Sequence, residues 1–157
     1  IILPLSGQLW IRGILEDYMI IKVPSEQITQ AWDVLKKHIL EGSLRPNDEA
    51  YATFILQRFL EGKIDLWIVY DVERIVGIMT TAFVLNPWGE FELSILSLKG
   101  MGVREAIYQD LVSSLKKFSA ENGIARIVAI SDANRIVEIA KKLGAKTRTE
   151  LVFEVNE

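Results

Sequence analysis

The hydrophobic period changes along the chain, and this change constrains the fold more than any other feature. In the middle of the sequence three strand-like runs follow one another: LWIVY (66–70), IVGIMTTAFVL (75–85) and EFELSILSL (90–98). The connections DVER (71–74) and NPWG (86–89) are short and have the composition of turns. Three strands in series with short turns predict an antiparallel meander.

Before the meander the apolar residues recur mainly at helical spacing. A short apolar run over 19–23 predicts a first strand, and Pro24 ends it. Helical periodicity then predicts one continuous helix over 25–41 and a second helix, which Asn47 or Asp48 can cap. The aromatic residues of these helices are predicted to pack between the helices and the sheet: Trp32, Tyr51, Phe54 and Phe59.

After the meander, helices and strands alternate. A helix is predicted as far as residues 122–123, followed by a strand over 124–130 that is apolar enough to be buried on both faces. A last helix over 134–143 precedes LVFEV (151–155), which we predict as the closing strand. The fold class is therefore α/β (α+β), a mixed central sheet with an antiparallel meander and about four helices.

The length favours one domain, which we place at residues 18–157, with residues 1–17 as an N-terminal arm or an extra element. The net charge of -3, with basic and acidic residues mixed, gives no reason to expect a nucleic-acid partner. No uncharged run is long enough for a membrane span, and the opening segment lacks the pattern of a signal peptide.

The chain contains no cysteine and a single histidine, His38. Disulfides, thiolate metal sites and a cysteine nucleophile are thereby excluded, and an imidazole-rich metal site has too few ligands. We predict no metal site, and we expect His38 to be a surface residue near the end of a helix.

The connection between the third meander strand and the next helix has the chemistry of an anion site. A glycine-containing turn that opens a helix leaves backbone N–H groups unpaired, and the helix dipole favours negative charge there. Gly100 and Gly102 would let a phosphate approach the backbone, and Lys99 would add a positive charge. The alternative is that these glycines only turn the chain.

Two segments at these joints, KGMGVREAIYQDL (99–111) and NRIVEIAKKLGAK (134–146), resemble the GNAT superfamily of acyl-CoA-dependent N-acyltransferases. The likeness covers roughly residues 18–156 and implies acetyl-CoA, or another acyl-CoA, as cofactor. It implies that the following residues bind the cofactor: Leu98, Lys99, Gly100, Met101, Gly102, Val103, Arg104 and Asn134.

The sequence departs from the family pattern at two places. In one alignment of the loop, Arg104 occupies the slot where the family carries a small residue, so its side chain would either crowd a phosphate or contact it. An alignment shifted by two residues matches both Gly100 and Gly102 but puts Ser97 in the slot of the family's Gln or Arg. Many members carry a tyrosine that protonates the leaving thiolate, and Ala140 stands in its place. Tyr108 could replace that acid only if it faces the cleft. Helix capping is an alternative role for Asn134.

The family often places a catalytic base on or near the third meander strand. Glu90 and Glu92 stand two residues apart there and would point to the same side of a strand. Either carboxylate, directly or through a water, could take the proton of an amine. The alternative is that both are solvated residues at the start of the strand. The resemblance also implies that Trp32 or Tyr51 could contact the acceptor.

Two functions are carried forward. The first is an N-acyltransferase that moves an acetyl group to a small-molecule or peptide amine by direct attack, in the cytoplasm. The second is a catalytically inactive GNAT-fold protein, a homo-oligomer or a binding or structural subunit of a larger assembly such as a phage particle. Arg104 and Ala140 motivate the second hypothesis.

Overall fold

The computed structural model describes residues 9–12, 18–71 and 74–156. Its strands form one six-stranded sheet in the order β1-β2-β3-β4-β5-β6. The strands are β1 Leu9–Arg12, β2 Tyr18–Val23, β3 Asp65–Asp71, β4 Arg74–Leu85, β5 Phe91–Gly100 and β6 Ile127–Ala129. The helices are α1 Ser25–Gln30, α2 Trp32–Glu41, α3 Glu49–Leu60, α4 Glu105–Glu121 and α5 Asn134–Lys142.

The sheet is mixed, as the sequence predicts. Strands β1 to β5 are antiparallel neighbours in chain order, and β6 pairs with β5 in parallel. The antiparallel meander of β3, β4 and β5 is confirmed. A parallel neighbour needs a long crossover, and α4 supplies it.

Helices cover both faces of the sheet. One hydrophobic cluster joins the sheet to α4 and α5 and includes Trp67, Ile107 and Leu115. The other joins the opposite face to α1, α2 and α3 through residues such as Leu35 and Phe59. Within the described ranges, no helix is long and apolar enough to cross a membrane.

The predicted first helix is divided at Ala31, which has φ -107° and ψ 14°. The Thr29 hydroxyl donates to the Ser25 carbonyl oxygen at 3.3 Å, and such a bond competes with the helix ladder and bends it. The second helix begins as predicted, because Asp48 accepts a hydrogen bond from the Tyr51 N–H at 3.0 Å.

Near the end of the chain the last helix forms as predicted, whereas the two predicted strands differ from the structure. The strand expected over 124–130 is only three residues long, and it is not buried on both faces, since Ala129 is exposed. The closing strand expected over 151–155 does not form. The two errors have one cause, because β6 lacks the neighbour that would lengthen it and cover it.

The predictions for the aromatic residues of the first helices and for the N-terminal arm are met in part. Phe54 was expected in the core but is 48% exposed, whereas Phe59 is buried and Trp32 packs edge-on against it. In the predicted arm, residues 9–12 form β1 beside β2, and the rest of residues 1–17 lies outside the described residues. The polar turn at 71–74 is described only at its ends, where Asp71 pairs with Arg74.

Candidate functional site

The sheet opens between β5 and β6. The two strands pair only from Leu93 to Ile95, opposite 127–129. Beyond that point the end of α2 takes the place of β6, and the Leu98 N–H donates to the Gly42 carbonyl oxygen at 2.9 Å. Two parallel strands that part in this way leave a cleft at their carboxyl ends, where open α/β sheets commonly bind ligands.

A β-bulge in β5 lies beside this opening. Thr80 pairs with Ser97 and Thr81 pairs with Ile95, so Leu96 has no partner on β4. The bulge shifts the alternation of the backbone N–H groups along β5 by one residue. The N–H groups of Leu93 and Leu98 are five residues apart and would face opposite edges of a regular strand, yet both face away from β4. Bulges bend a strand and re-aim its groups, and this one bends β5 where the cleft begins.

An apolar cavity fills the cleft on the side of α4 and α5. Its walls are mostly Leu, Ile, Val, Ala and Met side chains, and its polar side chains are those of Ser97, Tyr108 and Ser131. Such a cavity suits a flexible, largely apolar chain with a few polar groups. We call it the helix-side cavity.

A second cavity opens on the other side of β5. The loop after α2 contributes Leu44 and Arg45, and α3 contributes Tyr51. Ile95 and Ile130 line both cavities, so the two spaces meet where β5 and β6 part. We call it the α3-side cavity. It contains Tyr51, one of the two aromatic residues predicted to contact an acceptor, and it does not contain Trp32.

The glycine loop leads from β5 into α4 beside the helix-side cavity. Gly102 has φ +82°, a left-handed conformation that favours glycine, and a Cβ there would meet no atom within 4 Å. In the described part of the chain, no backbone oxygen accepts from the N–H groups of Gly102, Val103, Glu105 or Ala106. These donors and the positive end of α4 suit an anion.

Gly100 has a different role from Gly102. A Cβ on Gly100 would overlap the Tyr108 hydroxyl, so the glycine is needed to seat this tyrosine. Met101 is also structural, because its N–H donates to the Val76 carbonyl oxygen at 2.7 Å. Val103 is buried in the core cluster of α4. Of the predicted loop residues, Gly102 thus offers the open backbone.

Lys99 points towards α2 rather than towards the loop. Its ammonium contacts the Glu41 carboxylate and lies 2.9 Å from His38 Nδ1. Partial burial, reinforced by the charge on Lys99, lowers the pKa of His38, and the hydrogen bond from Lys99 lowers the pKa of Glu41. His38 is therefore half-buried in a polar cluster and not a freely solvated histidine, and Lys99 already has two partners.

The departure at Arg104 has a structural explanation. Its guanidinium lies 3.2 Å from the Asp71 carboxylate, at the end of β3. The space over Gly102 stays open, because no atom of Arg104 lies within 4 Å of the Cβ position there.

Ala140 on the last helix, α5, stands where many GNAT members carry a tyrosine. It lines the helix-side cavity together with Ile136 and Leu143. Tyr108 lines the same cavity from α4, and burial raises the pKa of its hydroxyl, which keeps it protonated. Asn134 does not line this cavity, and it does not cap α5 either, because Ala133 holds the cap position without a side-chain bond.

The two predicted carboxylates have different environments. Glu90 lies in the exposed turn before β5, and its carboxylate is 3.4 Å from Arg126. Glu92 is buried in β5, 3.7 Å from the same arginine, and its Oε2 has no hydrogen-bond partner. Glu92 shares a strand face with Ser94, which lines the α3-side cavity, whereas neither carboxylate lines either of these two cavities.

Several features of the site were not predicted from the sequence. The Leu96 bulge and the second cavity depend on pairings between distant segments, which a single sequence does not display. The register shift itself has no compositional signal here. Among the described residues, no three carboxylate or imidazole groups come together as metal ligands.

The sheet that opens after a bulge, with a glycine loop into the following helix, defines a GNAT-type fold. Solved structures show the same fold. A GCN5-related N-acetyltransferase from Ralstonia eutropha JMP134 superposes with a TM-score of 0.71, at 14% identity over 89% of this chain and 99% of that chain. No protein-family model and no curated protein sequence matches the chain.

Two further structures were solved with ligands. A predicted acetyltransferase from Clostridium acetobutylicum, solved with acetyl-CoA, has a TM-score of 0.67 at 14% identity, over 87% of this chain and 95% of that chain. An aminoglycoside acetyltransferase from an uncultured soil metagenomic sample, in complex with sisomicin, has a TM-score of 0.67 at 12% identity, over 90% of this chain and 97% of that chain. The GNAT fold predicted from the sequence is confirmed.

Proposed function

We propose that the protein is an acyl-CoA-dependent N-acyltransferase that transfers an acetyl group to a small-molecule amine. The carrying observation is that two cavities, one beside the open glycine loop and one on the opposite side of β5, meet at Ile95 and Ile130. A fold alone does not define a reaction, whereas two binding spaces that meet at one strand suit a transfer between two substrates.

The residues on the first side fit acyl-CoA. The N–H groups of Gly102, Val103, Glu105 and Ala106, from which no described backbone oxygen accepts, would hold phosphate oxygens, and the space over Gly102 is open. The helix-side cavity would take the pantetheine arm, between Leu98 on β5 and Ile136 on α5. When bound, the cofactor supplies an activated acyl group. The acetyl-CoA and sisomicin bound to the structural neighbours support this pairing of a thioester with an amine.

The residues on the other side would prepare the amine. Buried Glu92 would draw a proton through a water, because Ser94 on the same strand face lies roughly 7 Å further along β5 and lines the α3-side cavity. The backbone of the Leu96 bulge would polarise the acyl carbonyl oxygen. Tyr108, which lines the helix-side cavity and whose hydroxyl is kept protonated by burial, would serve as the acid in place of Ala140.

The first test is acetyl-CoA binding by isothermal titration calorimetry, with Gly102→Glu and Gly123→Glu as a matched pair. Both glycines have positive φ, +82° and +71°, and both face open space, so the two variants carry the same added charge and similar backbone strain. We expect Gly102→Glu to weaken binding by about tenfold or more, because a carboxylate would repel the phosphates. Gly123→Glu, at the far end of α4, should bind as the wild type does.

Equal affinities in the two variants would show that the loop holds no phosphate. No binding of acetyl-CoA by the wild type at millimolar concentration would favour the alternative, a GNAT-fold protein without this catalytic activity. If binding follows the expected pattern, a screen of amine acceptors with the same protein tests the transfer itself.

A further inference from the structure

The C-terminal segment, residues 151–155, is apolar but uncovered. Leu151, Val152, Phe153 and Val155 are 79%, 69%, 89% and 93% exposed. The alternation places Leu151, Phe153 and Val155 on one side of an extended chain, which is the pattern of a strand with one apolar face. Exposing such a face to water is unfavourable, and an apolar segment of this kind marks an interaction site.

The sheet ends in a strand, β6, with one edge that has no partner strand in the described part of the chain. Strand β6 is the last in the order and pairs with β5 on one side only. An uncovered strand edge presents backbone donors and acceptors that can pair with another strand. Ile130, directly after β6, is 62% exposed and continues the apolar surface.

The segment does not pair with this edge within its own chain. The last backbone bond among the described residues of this region is from the Ala145 N–H to the Ala140 carbonyl oxygen, which closes α5. Residues 145–156 are then exposed throughout and pair with no strand. The folded domain therefore leaves the apolar segment 151–155 and the free edge of β6 both without a strand partner among the described residues.

We infer that residues 151–155 pair with the free edge of β6 in a second copy of this chain. Each copy carries one segment and one edge, so a reciprocal exchange uses both and closes with two-fold symmetry. Exchange gives the apolar segment a strand partner, extends both sheets by one strand and covers the β6 edge of each copy. The partner is thus the chain itself, and the contact is independent of acyl-CoA.

Because the chain has no cysteine, two single-cysteine variants can report the exchange. Ala129→Cys marks the exposed end of β6, and Glu154→Cys marks the segment without removing an apolar side chain. The variants, one of them isotope-labelled, are unfolded and refolded together and treated with a short bismaleimide. We expect a cross-linked product with one chain of each kind, identified by mass spectrometry.

A double variant that carries both Ala129→Cys and Glu154→Cys, refolded in an excess of unlabelled wild type, shows whether the segment pairs with a second copy or with β6 of its own chain. A cross-link within one chain, at the mass of a single chain, would overturn the inference because the segment would then cover its own β6. A single-chain mass for the wild type by light scattering at 100 µM, about the upper end of working concentrations, would also overturn it.

Proline variants test the backbone pairing. Phe153→Pro removes a backbone donor in the middle of the segment, whereas Asn156→Pro makes the same change just outside it. We expect Phe153→Pro to raise the dimer dissociation constant by about tenfold or more and Asn156→Pro to leave it near the wild-type value. Equal constants would contradict strand pairing. These measurements contain no acetyl-CoA, so their failure and that of the proposed function are separable.

Discussion

Gly100 and Gly102 look alike in the sequence, but the structure requires glycine at the two positions for different physical reasons. Gly102 is required by its left-handed backbone and leaves open space, whereas Gly100 is required because a side chain would overlap the Tyr108 hydroxyl. The spacing of a Gly-x-Gly motif cannot distinguish these reasons, because the second depends on where a residue eight positions later packs. The loop was predictable from the sequence, but the division of roles inside it was not.

At the same scale, Glu92 is the carboxylate that we expect to act as base. Glu92→Gln keeps the shape of the side chain and removes the charge, so we expect kcat to fall by about 100-fold or more. Steady-state kinetics measures this effect. Thermal unfolding of the variant checks that the buried amide, which would replace an Oε2 without a hydrogen bond, leaves the protein folded.

Glu90→Gln is the matched control for this prediction. Glu90 contacts the same arginine, Arg126, at 3.4 Å, but it is exposed and lies in the turn before β5. The same chemical change should therefore leave kcat within about twofold of the wild type. A larger loss in Glu90→Gln than in Glu92→Gln would assign the base to Glu90, and two unchanged variants would exclude both carboxylates.

Among the elements, local periodicity decided which predictions succeeded. The meander strands and α3 to α5 were predicted near their observed bounds, since each carries its period and its turn residues within a short window. The β6 edge and residues 151–155 failed because an apolar, β-prone run becomes a strand only when a partner strand lies beside it. The Leu96 bulge is a property of register, which belongs to two strands at once.

Contact between α2 and β5 gives a prediction at this scale. Gly42 has φ -86°, which alanine adopts easily, but a Cβ there would lie 2.8 Å from the Leu98 carbonyl carbon and 2.9 Å from the Lys99 nitrogen. Because these are backbone atoms, they cannot rotate away, and Gly42→Ala must push the end of α2 off β5. We expect a loss of about 1–3 kcal/mol in the free energy of unfolding, measured in urea.

Gly62→Ala separates this clash from an ordinary glycine effect. Gly62 has φ +71° and open space around it, so its substitution should cost about 1 kcal/mol through backbone conformation alone. The Gly42 variant should also bind acetyl-CoA more weakly, because Gly42 lines the helix-side cavity. A Gly42→Ala protein as stable as the wild type would show that α2 is not held directly against the strand.

For the whole molecule, the order of the elements creates the two-sided site. Strand β5 pairs with β4 of the meander on one edge and with β6, which follows the α4 crossover, on the other, so both halves of the chain reach it. Helices α1 to α3 and α4 to α5 cover opposite faces, and each set contributes one wall of a cavity. The sequence predicts this order, although it does not show that the cavities meet.

Ile130 lies where the two cavities meet, and it supplies a test of the whole arrangement. The side chain is 62% exposed, so Ile130→Trp should not strain the core, but a larger ring there would separate the two spaces. We expect kcat to fall by about tenfold or more, since misplacing reactants slows transfer, while acetyl-CoA affinity changes less than about threefold. Leu85→Trp, at a residue 57% exposed that lines neither cavity, should change neither quantity. Unchanged turnover in Ile130→Trp would mean that the acyl group does not pass between β5 and β6, and that the amine reaches the thioester from another side of the cleft.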